Sequence, residues 1–317
     1  MSMDINEVDK VEILTLQDNY IDLTSGDSTD IVLRAMPVKD MEVKNSLLAE
    51  HGFSSIITVT KGDRSRSMLF DFGFSSHGAA FNADAMGLDL HDIEVSALSH
   101  GHLDHIGGFL ELMKRVNRKG IEVVMHPEAL RNPRYMKISE DLRVRLPSFT
   151  REMADDAEAE LVETRQPRFL LDGDVLFLGE IPRTTDFEKS PDNMYYQKNG
   201  KELWDDLVDD TSIVANVKGK GLVVVSGCAH AGIINTLRHA KDVSGMDKVF
   251  VVMGGFHLGG PAMMPVIEPT IQGLKEMDPA YIIPTHCTGR YAIMRIENEM
   301  PDRFILNMVG TKLTFSA

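Results

Sequence analysis

A chain of 317 residues that is 43% hydrophobic and 26% charged suits one globular unit or two tightly joined halves, and excludes a disordered or fibrous protein. The formal net charge of −15, with no run of Lys and Arg, argues against non-specific nucleic-acid binding and against anionic membranes, while a local Arg still permits a small anionic substrate. Two cysteines, Cys228 and Cys287, are too few for a disulfide framework. Met1 to Lys10 is acidic and polar, and no apolar run is long enough to span a bilayer, so the expectation is no signal peptide, no membrane and a cytoplasmic location.

In chain order, Val11 to Leu16 alternates like a strand, and Ile21 to Lys44 is mixed and polar, an early lid or loop. Ser54 to Thr60 and Ser67 to Phe70 flank Lys61-Gly62-Asp63-Arg64 and predict a hairpin that ends in Asp71-Phe72-Gly73. Phe81 to Leu88 reads as a helix, Val95 to Leu98 as a short buried strand, Phe109 to Val116 as a helix and Glu122 to Met125 as a strand. His126, at the end of that strand, is read as structural. From Pro133 to Gln166 the pattern weakens: Arg134, Arg143, Arg145 and Arg151 alternate with acids, as on a solvated helical insertion. Phe169 to Phe177 predicts a hairpin. Thr184 to Leu207 reads as a long loop over the site, of the length typical of lids. Its Tyr195, Tyr196 and Trp204 either stack on a flat ring or anchor the loop. Asp210 to Val217 and Leu222 to Ser226 form another hairpin, followed by a helix from Ile233 to Lys241. Lys248 to Met253 is a strand, Glu268 to Met277 a helix, Tyr281 to Pro284 a strand and Arg290 to Asn298 a helix. Phe304 to Leu306 and Val309 to Phe315 are expected to close the second sheet.

The densest chemistry is Ser99-His100-Gly101-His102-Leu103-Asp104-His105, between the strand ending at Leu98 and the helix starting at Phe109. On extended backbone alternate side chains face one way, so His100 and His102 can reach one ion together. A turn at Leu103 then aims Asp104 and His105 at a second. Imidazole and carboxylate suit zinc, iron or manganese rather than a calcium or magnesium cage. One such histidine is more simply a surface or capping residue, and Asp104 alone could cap the next helix. Three histidines and an aspartate this close argue for metal.

His-x-His-x-Asp-His after an apolar strand resembles the metallo-β-lactamase superfamily. The resemblance implies an α/β (α+β) fold, a four-layer αββα sandwich with two metals at one edge. It is expected as one domain over residues 1–317, with an insertion or lid at 133–166 and 184–207. Glu50-His51-Gly52, Gly179-Glu180-Ile181-Pro182-Arg183, Ser226-Gly227-Cys228-Ala229-His230-Ala231-Gly232, Gly254-Gly255-Phe256-His257-Leu258 and Pro284-Thr285-His286-Cys287-Thr288-Gly289 follow in order. Together they resemble the branch named after 7,8-dihydropterin-6-yl-methyl-4-(β-D-ribofuranosyl)aminobenzene 5′-phosphate synthase, of methanopterin biosynthesis. The resemblance implies that Asp71 supports a ligand histidine from behind, alongside its plain reading as a turn cap. Two departures from the superfamily pattern stand out. Glu180 and Arg183 occupy the neighbourhood of the usual third histidine, and Cys228 stands where a bridging Asp is common.

On this reading His230 completes the first metal with His100 and His102, and His286 completes the second with Asp104 and His105. His257 either contacts substrate or substitutes as a ligand. Cys228 either ligates or is a small buried residue beside the site. The expected cofactors are two divalent transition-metal ions, zinc first, iron or manganese next. Asp104, Glu180 and Arg183 are the catalytic candidates: Glu180 as an acid, a base or a partner to a pterin edge, and Arg183 as a phosphate clamp or a partner of Glu188. Arg290 is a second candidate for the anion. The function expected is a metal-dependent transferase acting on a phosphorylated or diphosphorylated small molecule with release of diphosphate. A phosphoesterase of unknown small substrate is the first alternative, and a non-catalytic metal- or ligand-binding protein the second. The superfamily hosts several reactions, so fold and metal do not decide among these.

Overall fold

The computed structural model describes residues 3–317 apart from 37, 40 and 44. Those three lie in the stretch expected to form an early lid, and the first two residues of the polar N-terminal stretch are also outside the described residues. Two large sheets form the molecule. The first runs in the order Glu160–Glu163, Glu122–Met125, Ile93–Ala97, Arg64–Phe70, Ser54–Lys61, Lys10–Gln17, Thr311–Ser316, Val32–Arg34. The second runs Arg168–Leu170, Val175–Phe177, Ser212–Val217, Gly221–Ser226, Val249–Gly255, Tyr281–Thr285, with Glu7–Val8 parallel to Ser212–Val217.

Strand alternation makes the layers. In Gly221–Ser226, Val223 and Val225 join a core shared with Met68, Phe70 and Ile13 of the other sheet. Leu222 and Val224 point the other way, onto Leu237, Ile271 and Ile296 of the helices Ile233–Ser244, Met264–Met277 and Arg290–Glu299. On the first sheet, Leu16, Leu69 and Val123 meet Ala80, Leu112 and Val116 of the helices Gly78–Ala85 and Phe109–Val116. Three cores between four layers make the αββα sandwich. Phe109–Val116 forms because Phe109, Leu112, Met113 and Val116 recur at helical spacing and are buried, and it stops at Asn117, which takes a left-handed φ of 48°. Each fully buried side chain of this kind stabilises the fold by roughly 1.5–3 kcal/mol.

Four expectations need correction. Thr311–Ser316 does not close the second sheet; it pairs with Lys10–Gln17 in the first, and Phe304 makes only an isolated bridge to Ile282. The early helix lies at Gly78–Ala85, a few residues before the predicted span. The segment 133–166 is not a helical insertion: it holds the strands Arg134–Lys137, Arg143–Leu146 and Glu160–Glu163 and one short helix, Arg151–Asp156. The long 184–207 segment also contains a hairpin, Met194–Lys198 with Lys201–Trp204. Together they build a four-stranded antiparallel sheet in the order 143–146, 134–137, 194–198, 201–204. The hairpin Met194–Lys198 with Lys201–Trp204 turns on Asn199-Gly200, both at positive φ, a local signal that the reading as a loop overlooks, whereas its pairing with Arg134–Lys137 is a long-range contact.

The strands Arg64–Phe70 and Ile93–Ala97 are parallel, as are Gly221–Ser226, Val249–Gly255 and Tyr281–Thr285. Parallel neighbours finish at the same edge. The loops after these five strands therefore carry Asp71, the His100 cluster, Cys228 with His230, His257, and His286 to one place.

Candidate metal centre

His100 leaves the strand Ile93–Ala97, and His102 is the extended residue before a single helical turn, Leu103–Ile106. The turn starts at Leu103, as the spacing predicts, and carries Asp104 and His105 to the side of His286, with Asp104 still within 4.8 Å of the His100 and His102 donor atoms. Close packing fixes the loop. A Cβ on Gly107 would stand 1.6 Å from the Phe74 carbonyl oxygen, and one on Gly227 would stand 2.1 Å from Ser99 Oγ. Neither position has room for any side chain.

The donor atoms fall into overlapping sets. Those of Asp104, His105, Cys228 and His286 lie within 4.8 Å of one another, as do those of His100, Cys228 and His230. A third set joins His100, His102 and Asp104, and a fourth joins Cys228, His257 and Cys287. The His100, His102 and His230 rings stand 4.6 to 4.9 Å apart, centre to centre. His286 Nε2 is 3.1 Å from Asp104 Oδ2, and His105 Nε2 is 3.1 Å from Cys228 Sγ. The six residues expected as ligands are thus gathered from both halves of the chain, and Cys228 belongs to three of the four sets.

The ring orientations are held from behind. His105 Nδ1 is 2.6 Å from Asp71 Oδ2, and Asp71 also accepts from Ser99 N and Ser99 Oγ, each at 2.7 Å. His286 Nδ1 is 3.3 Å from Asn19 Oδ1, and the His286 main-chain N–H donates to Asp18 Oδ1 at 2.9 Å. Both histidines therefore turn Nε2 towards the cluster. Asp71, Ala229, His257 and His286 have positive φ values of 45° to 60°, an uncommon backbone state that clusters at functional sites.

The donor set fits a divalent transition metal. Nε2 of His100, Nε2 of His102 and both ring nitrogens of His230 are buried with no hydrogen-bond partner. Orphaned buried nitrogens are costly, and a cation supplies the missing partner. Burial holds the His100 and His230 pKa values well below the ordinary range and His102 at about 4. That leaves them as neutral imidazoles, the form that ligates metal. For His105 burial opposes protonation, but the Asp71 and Asp104 carboxylates outweigh it and raise the value to about 9 in the metal-free protein. For Asp104, burial works against ionisation and is overcome by His105 and His286, so the carboxylate stays ionised.

Other expected residues are placed differently. Glu180 is not gathered into the cluster: its Oε2 lies 3.2 Å from His126 Nε2 and accepts from Arg165 at 2.9 Å. Arg183 does not pair with Glu188, and its Nε is buried with no hydrogen-bond partner. Its Nη2 donates to the main-chain oxygens of Asp206, Leu207 and His230 at 2.8, 3.3 and 3.4 Å. Glu188 instead accepts from the Ile234 and Asn235 main-chain N–H groups, capping the helix Ile233–Ser244. Arg290 is exposed and lines a separate cavity that also touches His286. Trp204 is half exposed and donates from Nε1 to the Pro191 oxygen at 2.9 Å, while Tyr196 packs under the Arg131 guanidinium. Arg134, expected on a solvated face, is fully buried. Its Nη2 donates to Asp209 Oδ1 at 2.8 Å, and its Nε stands 2.9 Å from Asp205 Oδ2, off the line of a hydrogen bond. Asp209 in turn accepts from Gly101 N at 2.9 Å, between the two metal-loop histidines.

Sequence reasoning gave no role to His51, Cys287 or Asp209. His51 Nε2 is 3.5 Å from Asp104 Oδ2 and its ring packs on His286. Its motif was visible, but its distance from the other histidines hid its place. Cys287 donates to the Cys228 oxygen at 3.5 Å, and its position directly after His286 was the available signal.

The profile of the Metallo-beta-lactamase superfamily matches residues 50–241. The chain is 30% identical over 312 residues to the 7,8-dihydropterin-6-methyl-4-(beta-D-ribofuranosyl)-aminobenzene-5′-phosphate synthase of Methanocaldococcus jannaschii, covering 96% of this chain and 95% of that protein. It is 28% identical to an uncharacterised protein of the same organism, over 86% of this chain and 96% of that one. Among solved structures, Tm1679, described as a metal-dependent hydrolase of the beta-lactamase superfamily, superposes with a TM-score of 0.72 at 26% identity, covering 97% of this chain and all of that one. Among the described residues, no helix is long and apolar enough to cross a membrane. With its four-layer fold, its gathered histidines and these relatives, the chain belongs to the metallo-β-lactamase superfamily, in the branch that resembles the dihydropterin–ribofuranosylaminobenzene phosphate synthase.

Proposed function

We propose that this protein is a dinuclear-metal enzyme that transfers a group between small phosphorylated molecules, with diphosphate as the leaving group. The observation that carries the reading is the group of overlapping donor sets with orphaned, buried imidazole nitrogens. His100, His102 and His230 would hold one ion, and Asp104, His105 and His286 the other. Cys228, within reach of both sets, is the shared donor, in the place where a bridging carboxylate is common. Two divalent ions bound there would supply fixed positive charge where negative charge develops on a departing phosphate or diphosphate. Asp71 and Asn19 fix the two Nε2 vectors. His257, beside His230 with ring centres 4.1 Å apart, faces substrate. Arg183 is a positioning residue: it ties the 206–207 segment to the His230 main chain. Glu180 acts at the surface with His126 and Arg165 rather than on the reacting atoms.

The likeness over almost the full length to a named synthase supports transfer over hydrolysis. The likeness to a metal-dependent hydrolase supports the second reading, a phosphoesterase on the same metals. Metal-loaded protein incubated with a 7,8-dihydropterin bearing a methyl-linked diphosphate, and with 4-(β-D-ribofuranosyl)aminobenzene 5′-phosphate, should yield a coupled product and free diphosphate. Rapid cleavage of generic phosphodiesters with no pterin-dependent product would favour the phosphoesterase. Protein that neither contains nor takes up a transition metal would sink both readings.

A further inference from the structure

Arg183 and Arg290 are the residues the sequence offers to hold an anion; Nη2 of the first is taken by main-chain oxygens, and the second lines a separate cavity. A different pair faces the cleft beside the metal ligands. That cleft has a volume of about 700 Å³, in the range of small-molecule sites. His230 and His257 form part of its wall, and Phe187, Phe256, Leu258 and Val266 make much of it apolar. The insertion contributes Lys137, at the end of the strand Arg134–Lys137, and Lys189, ahead of the hairpin at Met194.

Neither lysine pairs with an acid among the described residues, although the chain carries 48 Asp and Glu against 33 Lys and Arg. Two acids also line the cleft. Glu188 is buried, and both its oxygens are taken by the Ile234 and Asn235 N–H groups. Asp192 is exposed and is the one left to oppose the lysines. Two ammonium groups left without an acid partner on the wall of one cleft offer an anion a place to bind. A phosphomonoester carries close to two charges near neutral pH and matches two ammonium groups, where a carboxylate would leave one uncompensated.

We propose that Lys137 and Lys189 bind the phosphomonoester of the substrate at a point separate from the metals, while the apolar wall takes its ring and the reacting end meets the metal ligands. This rests on the function proposed above and adds its specificity determinant: the metals handle the leaving group, and the insertion reads the phosphate that is retained.

Trp204 gives a readout independent of turnover, since it donates to the oxygen of Pro191, a residue of the cleft wall. Its fluorescence is followed in metal-loaded protein titrated with 4-(β-D-ribofuranosyl)aminobenzene 5′-phosphate and, separately, with the dephosphorylated form. Wild type should bind the phosphorylated probe at least about tenfold more tightly, a scale set by two charge-assisted contacts. Lys137→Ala combined with Lys189→Ala should bring the ratio close to one and leave affinity for the dephosphorylated probe unchanged. The Lys137→Arg and Lys189→Arg pair should restore most of the preference. A preference that survives the double alanine change means that the metals read the phosphate, and overturns the proposal. Failure of the phosphorylated probe to bind overturns it as well. In either case two bound ions and diphosphate release would leave the proposed function standing, whereas protein without metal would remove that function itself.

Discussion

Two buried polar clusters share a border in this molecule. In one, Arg131 and Arg134 meet Asp205, Asp206 and Asp209, and charge is matched by charge. In the other, His100, His102 and His230 keep ring nitrogens without a partner. They touch through Asp209, which pairs with Arg134 on one side and accepts from Gly101 N on the other. Equal burial therefore has two meanings. The closed cluster is matched in charge by the chain itself, although Nε and Nη1 of Arg134 and Oδ2 of Asp205 lack a hydrogen-bond partner, and it locks the insertion against the metal loop. In the open cluster the orphaned atoms are imidazole nitrogens, lone-pair donors that a cation would complete, and that chemistry rather than orphaning alone marks a ligand site.

The largest expected effect falls on the open cluster. His230→Ala and His286→Ala should each lose one of the two ions, read by elemental analysis of purified protein, with activity lost in both. Retention of both ions in either variant would refute the ligand assignment. On the closed side, Arg134→Met leaves Asp209 in the interior without its guanidinium partner, and should cost about 3–5 kcal/mol in urea unfolding, the usual scale for breaking a buried ion pair. A loss under about 1 kcal/mol would mean that the cluster is not closed. Asp71→Asn keeps a residue tolerant of the left-handed backbone at φ 60° but weakens the hold on His105. Metal affinity should fall about 10- to 100-fold with little change in fold, measured by chelator competition.

The smallest effect concerns pH. Burial pushes the Asp210 carboxyl up, against hydrogen bonds from the Ala231 and His230 N–H groups and the pull of Arg183, to about 7. The folded protein thus keeps a proton that the unfolded chain releases at about pH 3.9. The stability tied to that proton is fully present below about pH 4 and is lost as pH rises through about 7. In chelator-treated protein, Asp210→Asn should unfold at a higher temperature than wild type at pH 8, with the gap closing towards pH 4. An unchanging gap would assign the effect to packing rather than to ionisation.

The open cluster is largely legible in the amino-acid order and the closed one is not. His100, His102, Asp104 and His105 lie within six positions, so elementary backbone geometry aims them together. His230 and His286 can be drawn in because each follows an apolar run that must be a buried strand, and loops at strand ends carry ligands. Arg134 offers no such sign. Its partners Asp205 and Asp209 come more than seventy positions later, and a lone Arg among acids reads as a solvated face until the insertion sheet brings those acids to it.

What the order of residues decided alone was the set of short-range features: hairpins from alternation around turns, helices from recurring apolar positions, and a metal loop from tight spacing. Each is a local balance that neighbouring residues settle. Only tertiary structure decided which sheet receives Thr311–Ser316, that Cys228 stands among three donor sets, that Glu180 faces Arg165, and that Arg183 is spent on carbonyl groups. Those outcomes depend on surfaces joined across most of the chain, where burial and charge matching are properties of the assembled layers and of no single segment.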